Sequence, residues 1–510
     1  MFSNQVFNTQ KEIEIKIRDT KKQLSTIEES KQNYNLIIVL HDKLAQLYQE
    51  QGYYDLAYAS QEQILTIRKK ALPINHPDLA DSYNNLGAIW VLKGDVNKSL
   101  EYHEKALKIR KLALKANHPD LAISYNNLGV TYSAQGELKK CLDYYEKALK
   151  IRKAILPPNH PDLADTYNNF GNLYEKKNKL DKSLEYHEKA LRIYETILPP
   201  NHPDLADSYN NVSSLYRLKN DLNKSLEYYE KALRIYETIL PPNHPDLGGS
   251  YNNVGSLYRM KNDLDKGLEY QEKALKIFKA NKPLRSDLVA MGYSNLGILY
   301  GDKGNTDKAL EYQIEALKIY EAIYPPNHPD LASSYNNVGI SYEVKGDLDK
   351  CLEHQEKALK IREAVLPPNH PDLATSYNNV GISYKAKGDL DKGLEHQEKA
   401  LKIREAVLPP NHPDLAMSYN NVGISYEAKG DLDKGLEYKE KALKIHEIIL
   451  PPNHPQLAFF YNNLGLSYKK KGDIAKAKTY IQKAAAVALV ALPADNPHRL
   501  GIERNLRSFS

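Results

Sequence analysis

The sequence predicts an all-α solenoid of stacked helical hairpins, and three observations carry that expectation. A Tyr-Asn-Asn triplet begins at Tyr83, Tyr125, Tyr167, Tyr209, Tyr251, Tyr335, Tyr377, Tyr419 and Tyr461, and the variant Tyr-Ser-Asn at Tyr293 keeps the same 42-residue step. A fixed period of this length marks a repeat array. Within each period the apolar residues fall three and four apart, the spacing of one helical face. Proline and glycine punctuate every unit at fixed offsets, where helices start and stop. A single unit is too small to bury its own apolar face, so neighbours must stack.

The elements follow in chain order. Residues 1–36 form an N-terminal segment in which Lys11 to Tyr34 reads as a charged amphipathic helix, with Ile13, Ile17, Leu24 and Ile27 on one side. Two readings are open: a cap on the array, or a short coiled coil through which two copies self-associate. Residues 37–496 form an array of about eleven units. The first is degenerate, around His41 to Lys70, where Leu44, Ala45, Tyr48, Gly52 and Ala57 precede Leu86, Gly87, Trp90, Gly94 and Ser99 by one period.

Asn369 to Pro410 serves as the type unit. Pro371 suits the first position of a helix, and Asp372 places negative charge at the positive end of its dipole. Leu373, Tyr377, Val380, Gly381 and Tyr384 make the apolar stripe of a first helix, A, with Gly381 small enough for a close approach. Gly388 stops helix A in a left-handed conformation, and Asp389 caps the second helix, B. Three units carry Asn178, Asn220 or Asn262 in place of that glycine, and asparagine also tolerates this backbone. Helix B turns Leu390, Leu394, Ala400, Leu401 and Ile403 inward and ends at Pro409-Pro410. Past the array, Pro497, Asn505 and Leu506 stay in phase with Pro455, Asn463 and Leu464, so residues 497–510 read as a C-terminal capping helix.

Gly-x-x-Tyr in helix A, together with a small residue and an Ala-Leu pair in helix B, resembles the tetratricopeptide repeat. The 42-residue period, the His-Pro-Asp-Leu-Ala linker and the Asn-Asn pair are similar to arrays of the kinesin light chain type, over roughly residues 38–499. The resemblance implies a right-handed superhelical solenoid with a concave groove.

Composition narrows the function classes. The 70 basic and 65 acidic residues leave a net charge of +5, which reads as spread along the repeats without the basic stripe that nucleic-acid binding needs. No apolar run reaches the roughly 18 residues of a membrane span, and the start lacks the apolar core of a secretory signal. A cytoplasmic protein with no nucleic-acid or membrane partner is the expectation. Cys141 and Cys351 stand at one repeat position five units apart, too far for a bridge, and read as small packing residues.

The candidate binding residues lie on helix A. The second asparagine of each triplet projects away from the apolar stripe: Asn85, Asn127, Asn169, Asn211, Asn253, Asn295, Asn337, Asn379, Asn421 and Asn463. An amide offers both a donor and an acceptor, so a row of them can bond the backbone of an extended peptide without reading its side chains. In the kinesin light chain and O-GlcNAc transferase families groove asparagines hold bound chains in this way, and the resemblance implies the same role here. The competing explanations are bonds to the adjacent helix and shared ancestry of the repeats. Three residues further on, Ala88, Val130, Asn172, Ser214 and Ser256 give way to Ile298, Ile340, Ile382, Ile424 and Leu466, with Met291, Met417 and Phe459 one turn earlier. This apolar row reads either as pockets for a partner's side chains or as packing between successive A helices. Its onset coincides with Ala280 to Arg285, which replaces the usual Pro-Pro-Asn-His-Pro linker and suggests a two-segment groove.

Chemistry of other kinds finds no footing. His76, His118, His160, His202, His244, His328, His370, His412 and His454 recur one per unit, and side chains a helix spacing of about 8–10 Å apart cannot share an ion whose ligands lie about 2 Å away. They read as helix starts. The Asp-Leu-Asp-Lys-Gly runs lack the ligand spacing of a calcium loop, and no phosphate loop, nucleophile elbow or His-Glu-x-x-His appears. The sequence therefore predicts no cofactor, no metal and no catalysis. It predicts an interaction scaffold for an extended peptide or short helix, with a cargo adaptor like the kinesin light chain, or a regulatory array in a larger signalling assembly, as alternatives.

Overall fold

The computed structural model describes residues 3–281 and 285–509, with side chains from Glu12 onward. Among these residues it has 24 helices and no strand. Helix α1 (Ser3–Ser25) precedes eleven hairpins. Six are α2–α3 (Tyr34–Glu50, Tyr54–Ala71), α4–α5 (Pro77–Leu92, Val96–Ala113), α6–α7 (Pro119–Ala134, Leu138–Ile155), α8–α9 (Pro161–Lys176, Leu180–Ile197), α10–α11 (Pro203–Leu218, Leu222–Ile239) and α12–α13 (Pro245–Met260, Leu264–Ala280). The other five are α14–α15 (Ser286–Asp302, Thr306–Ile323), α16–α17 (Pro329–Lys345, Leu348–Val365), α18–α19 (Pro371–Ala386, Leu390–Val407), α20–α21 (Pro413–Ala428, Leu432–Ile449) and α22–α23 (Pro455–Lys471, Ile474–Ala491). Helix α24 (Pro497–Arg507) closes the chain. The fold is an all-α helical solenoid. It divides into two compact units, residues 1–284 and 285–510, where sequence periodicity suggests one unbroken array. The divide falls at the exceptional linker, of which residues 282–284 lie outside the described residues.

The start and stop of each helix have visible causes. His370 precedes Pro371, and its ring Nδ1 accepts the Asp372 N–H at 3.2 Å. The same bond forms at His76, His118, His160, His202, His244, His328, His412 and His454, at 3.1 to 3.3 Å. The imidazole thus satisfies one of the orphan donors of a helix start. Helix A ends at a left-handed residue, Gly388 with φ of 87° or Asn220 with φ of 60°, and Asp389 Oδ1 accepts the Lys392 N–H to begin helix B.

Within each unit a hairpin buries one face of its A helix against its own B helix and, after the unit's first hairpin, against the B helix before it. In α18, Leu373, Ala374, Ser376, Val380, Gly381 and Ser383 are buried, and in α19 so are Leu394, Ala400, Leu401 and Ile403. Tyr377 donates its hydroxyl to Glu363 of α17 at 2.7 Å, tying successive hairpins together. Both cysteines are fully buried and unbridged.

The ends refine the sequence reading. The first helix stops at Ser25, so Ile27 lies beyond it, and residues 26–33 connect it to α2. Ile17 is buried with Leu44, Leu47 and Tyr48 of α2, and Ile13 and Leu24 pack beside it. At the other end Ile502 of α24 is buried with Ala484 and Ala488 of α23.

Candidate functional site

Helix A presents its second asparagine to the surface in the ten hairpins after the first: none of the ten is buried, and Asn85, Asn211 and Asn463 are exposed. Successive A helices also touch directly, as α4 with α6 and α6 with α8 in the first unit and α14 with α16 in the second, so within each unit the amides form a row on the helix-A face. Between α6 and α8 that face holds a depression lined by Val130, Ser133, Asn169, Asn172, Glu175 and Lys176.

Many of the amides bond one another across the hairpin boundary. Asn127 Nδ2 donates to Asn84 Oδ1 at 2.8 Å, and Asn169 to Asn126 at 3.0 Å. In the second unit Asn337 donates to Ser294 Oγ at 3.3 Å, Asn379 to Asn336 at 2.9 Å and Asn421 to Asn378 at 3.0 Å. The capping helix continues the pattern, with Asn505 donating to Asn462 at 2.9 Å. The ladder is therefore partly structural: each such bond uses one N–H of the second asparagine and leaves its other N–H and its carbonyl oxygen, except that Asn379 Oδ1 also accepts from Asn378 Nδ2 at 3.5 Å.

The apolar row stands beside the amides in the second unit. Ile340 is 42 % exposed and Val344 69 %, and Met417, Ile424 and Leu466 are exposed too, while Ile298 and Ile382 are half-buried. In the first unit the equivalent Ser214 and Ser256 bond side chains of their own helix B, Tyr229 and Gln271.

Two helix-B positions that the sequence reading passed over set this geometry. One holds His103, Tyr145, His187, Tyr229, Gln271, Gln313, Gln355 or Gln397, each buried, and in most hairpins it lies over the helix-A glycine. A Cβ on Gly381 would come within 2.8 Å of Gln397 Cγ, so what the glycine admits is a polar side chain as well as a helix. Burial pushes His103 and His187 down to about 4. The other position holds Arg68, Arg110, Arg152, Tyr194, Tyr236, Phe278, Tyr320, Arg362, Arg404 or His446. Arg110, buried, donates to the Asp120 carbonyl at 2.9 Å and to Ser124 Oγ at 2.8 Å and pairs with Asp81 at 2.6 Å. The signal for both was a polar residue recurring in phase inside an apolar stripe.

Charge is less even than the whole-chain balance suggests. From Pro455 to Ser510 there are nine lysines and arginines against three acids. Several are tied down: Lys469 to Ser508, Lys470 to the Glu427 carbonyl, Lys471 to Asp433 and Arg499 to Glu503. Among the described residues no cluster of His, Cys, Asp and Glu could hold a metal ion, and no helix is long and apolar enough to cross a membrane.

No curated protein matches the chain. Among solved structures, apo RapI is 16% identical, covering 73% of this chain and 98% of its own, with a TM-score of 0.55. The apo quorum sensor NprR from B. thuringiensis is 12% identical, covering 72% and 98%, with a TM-score of 0.54. BtubC (BKLC) from P. vanneervenii is 28% identical over 44% of this chain and 91% of its own, with a TM-score of 0.39. The tetratricopeptide repeat profile matches residues 36–112, 91–154, 120–196, 162–238, 204–280, 288–364, 332–406, 372–447 and 414–489. With hairpin after hairpin matched along most of its length, the chain belongs to the tetratricopeptide repeat family.

Proposed function

We propose that this protein is a non-catalytic interaction scaffold that holds an extended peptide or short helix along its helix-A face. The observation that carries the reading is the row of surface amides, one per hairpin, on A helices that adjoin one another. Even where a rung bonds its neighbour, its carbonyl oxygen and second N–H can meet a peptide main chain. The apolar row from Ile298 to Leu466 adds side-chain selectivity in the second unit, since exposed apolar groups of this kind gain from being covered. The 42-residue unit with its His-Pro linker makes a cargo adaptor of the kinesin light chain type the alternative to this reading.

Peptides selected from a random dodecapeptide library on the full chain, remade with a photo-crosslinking residue, test the scaffold reading. Crosslinks on A helices, around Asn211 or Ile340, are the expected result. Crosslinks confined to the B helices, or a selection that enriches nothing, would overturn it.

A further inference from the structure

The amide ladder is not uniform: Asn85, Asn211, Asn253 and Asn463 stand without a side-chain hydrogen bond, and for the one adjacent pair, Asn211 and Asn253, residues on helix B account for the opening. In hairpins with arginine at that position, the first asparagine of the triplet is available to the next hairpin. Asn84 with Arg110, Asn126 with Arg152, Asn336 with Arg362 and Asn378 with Arg404 each accept the bond from the following second asparagine. In the two hairpins where tyrosine replaces arginine beside an asparagine, the first asparagine is taken instead by helix B. Asn168 is held by His187 Nδ1 at 3.0 Å, with the Tyr194 hydroxyl beside it on Asp165 at 2.6 Å. Asn210 donates to the Tyr236 hydroxyl at 3.3 Å, and its Oδ1 is left buried without a partner. The asparagines that would have bonded them, Asn211 of α10 and Asn253 of α12, have no hydrogen-bond partner in the structure.

The exception supports the mechanism. Tyr320 stands in the hairpin of Ser294, whose hydroxyl donates to Gln313 Oε1 at 3.3 Å and still accepts from Asn337 Nδ2. A rung of this pair opens where helix B captures the preceding asparagine: Tyr236 takes Asn210, and His187 takes Asn168.

From this pattern we infer that Tyr236 at Asn210, and His187 with Tyr194 at Asn168, are positioning residues that release Asn253 and Asn211, and that these two adjacent rungs are where the main chain of an extended peptide is gripped. The inference rests on the scaffold reading above and deepens it. A free amide engages a peptide carbonyl and N–H together without breaking an internal bond, whereas a locked rung offers fewer groups in an orientation already fixed by its neighbour. Adjacent rungs matter because a bound strand then meets two anchors, and the entropy of ordering it is offset twice.

The test uses the full chain and the peptides selected from the random dodecapeptide library. Each peptide's affinity is measured for Asn211→Ala with Asn253→Ala, for Asn379→Ala with Asn421→Ala, and for Tyr194→Phe with Tyr236→Phe. The expected result is a loss of about tenfold or more for the first pair, the scale of one or two hydrogen bonds, and little change for the second. The phenylalanine pair keeps the ring packing but removes the captor of Asn210, which can return to Asn253, while His187 still holds Asn168; a loss of affinity with unchanged thermal stability is expected. Equal losses for open and locked rungs, or no effect of the phenylalanine pair, would overturn the inference while leaving helix-A binding in place. Groove crosslinks with no loss in any asparagine variant would overturn the role of the amides altogether, and no selected peptide would overturn both readings.

Discussion

A Cβ added at Gly381 would sit 2.8 Å from Gln397 Cγ and equally close to the Gly393 carbonyl oxygen. The first neighbour can swing away, but the second is backbone, so Gly381→Ala must push two helices apart. A cost of about 1–3 kcal/mol is expected. Gly249 in α12 gives the control: a Cβ there meets nothing within 4 Å, and Gly249→Ala should stabilise by about 0.5–1 kcal/mol through the entropy of the unfolded chain. Urea titration of both variants reads the difference, and equal shifts would show that the close approach is not the constraint. Buried histidine provides a second residue-scale prediction. Burial, with Arg110 nearby, pushes His103 down to about 4, and burial does the same to His187. The folded state holds both rings neutral, while the unfolded chain takes protons below about 6.5. Their stabilising contribution is complete above about pH 6.5 and is lost as pH falls toward 4, by about 2 kcal/mol each at pH 5. His103→Gln, with the glutamine that five other hairpins carry at this place, should flatten the decline in urea midpoint between pH 7.5 and 5. An unchanged decline would place the acid sensitivity elsewhere.

At the scale of the helix and its turn, three hairpins close helix A with asparagine in a left-handed conformation, Asn178, Asn220 and Asn262 at φ of 53° to 62°. An L residue without a compact polar side chain meets its carbonyl there at a cost of about 1–2 kcal/mol. Asn220→Ala should therefore lower stability by about 1 kcal/mol and Asn220→Gly should not; a glycine variant as unstable as the alanine one would mean the side chain, not the backbone, holds the turn. These turns, the proline starts and the Gly388 stops were legible in the sequence because each depends on one residue's own backbone preference. The helix-start role of the linker histidines was legible for the same reason, although the atom involved, Nδ1 on the N–H two residues on, needed the structure. The asparagine rungs were legible only in part. Their outward direction followed from helical spacing, but whether a rung is locked depends on Arg110 or Tyr236 reaching across from helix B, and no local pattern in helix A records that. The end of α1 at Ser25 was missed because Ile27 continues the apolar spacing into a segment that is no longer helical.

In the molecule as a whole, stability is distributed along one dimension, since each hairpin rests on its neighbours and the clusters of buried side chains run from one B helix to the next A helix. Such arrays need not unfold in one step, because losing one segment removes only its own interfaces. The chain divides into compact units of residues 1–284 and 285–510. The chain carries a single tryptophan, Trp90, packed edge-on against Tyr58 with the ammonium groups of Lys93 and Lys98 over its ring at 4.2 and 4.0 Å. Its fluorescence therefore reports the early hairpins of the first unit alone, whereas helical circular dichroism reports both. In a urea titration the two signals should give midpoints that differ, and the fluorescence change should leave a second dichroism phase unaccompanied. Destabilising only the second unit with Gly381→Ala should then move the dichroism curve and leave the Trp90 midpoint in place. Coincident curves that shift together in the variant would mean that the hairpins are coupled along the whole chain, and that a ligand gripping Asn211 and Asn253 would stabilise the second unit as much as the first.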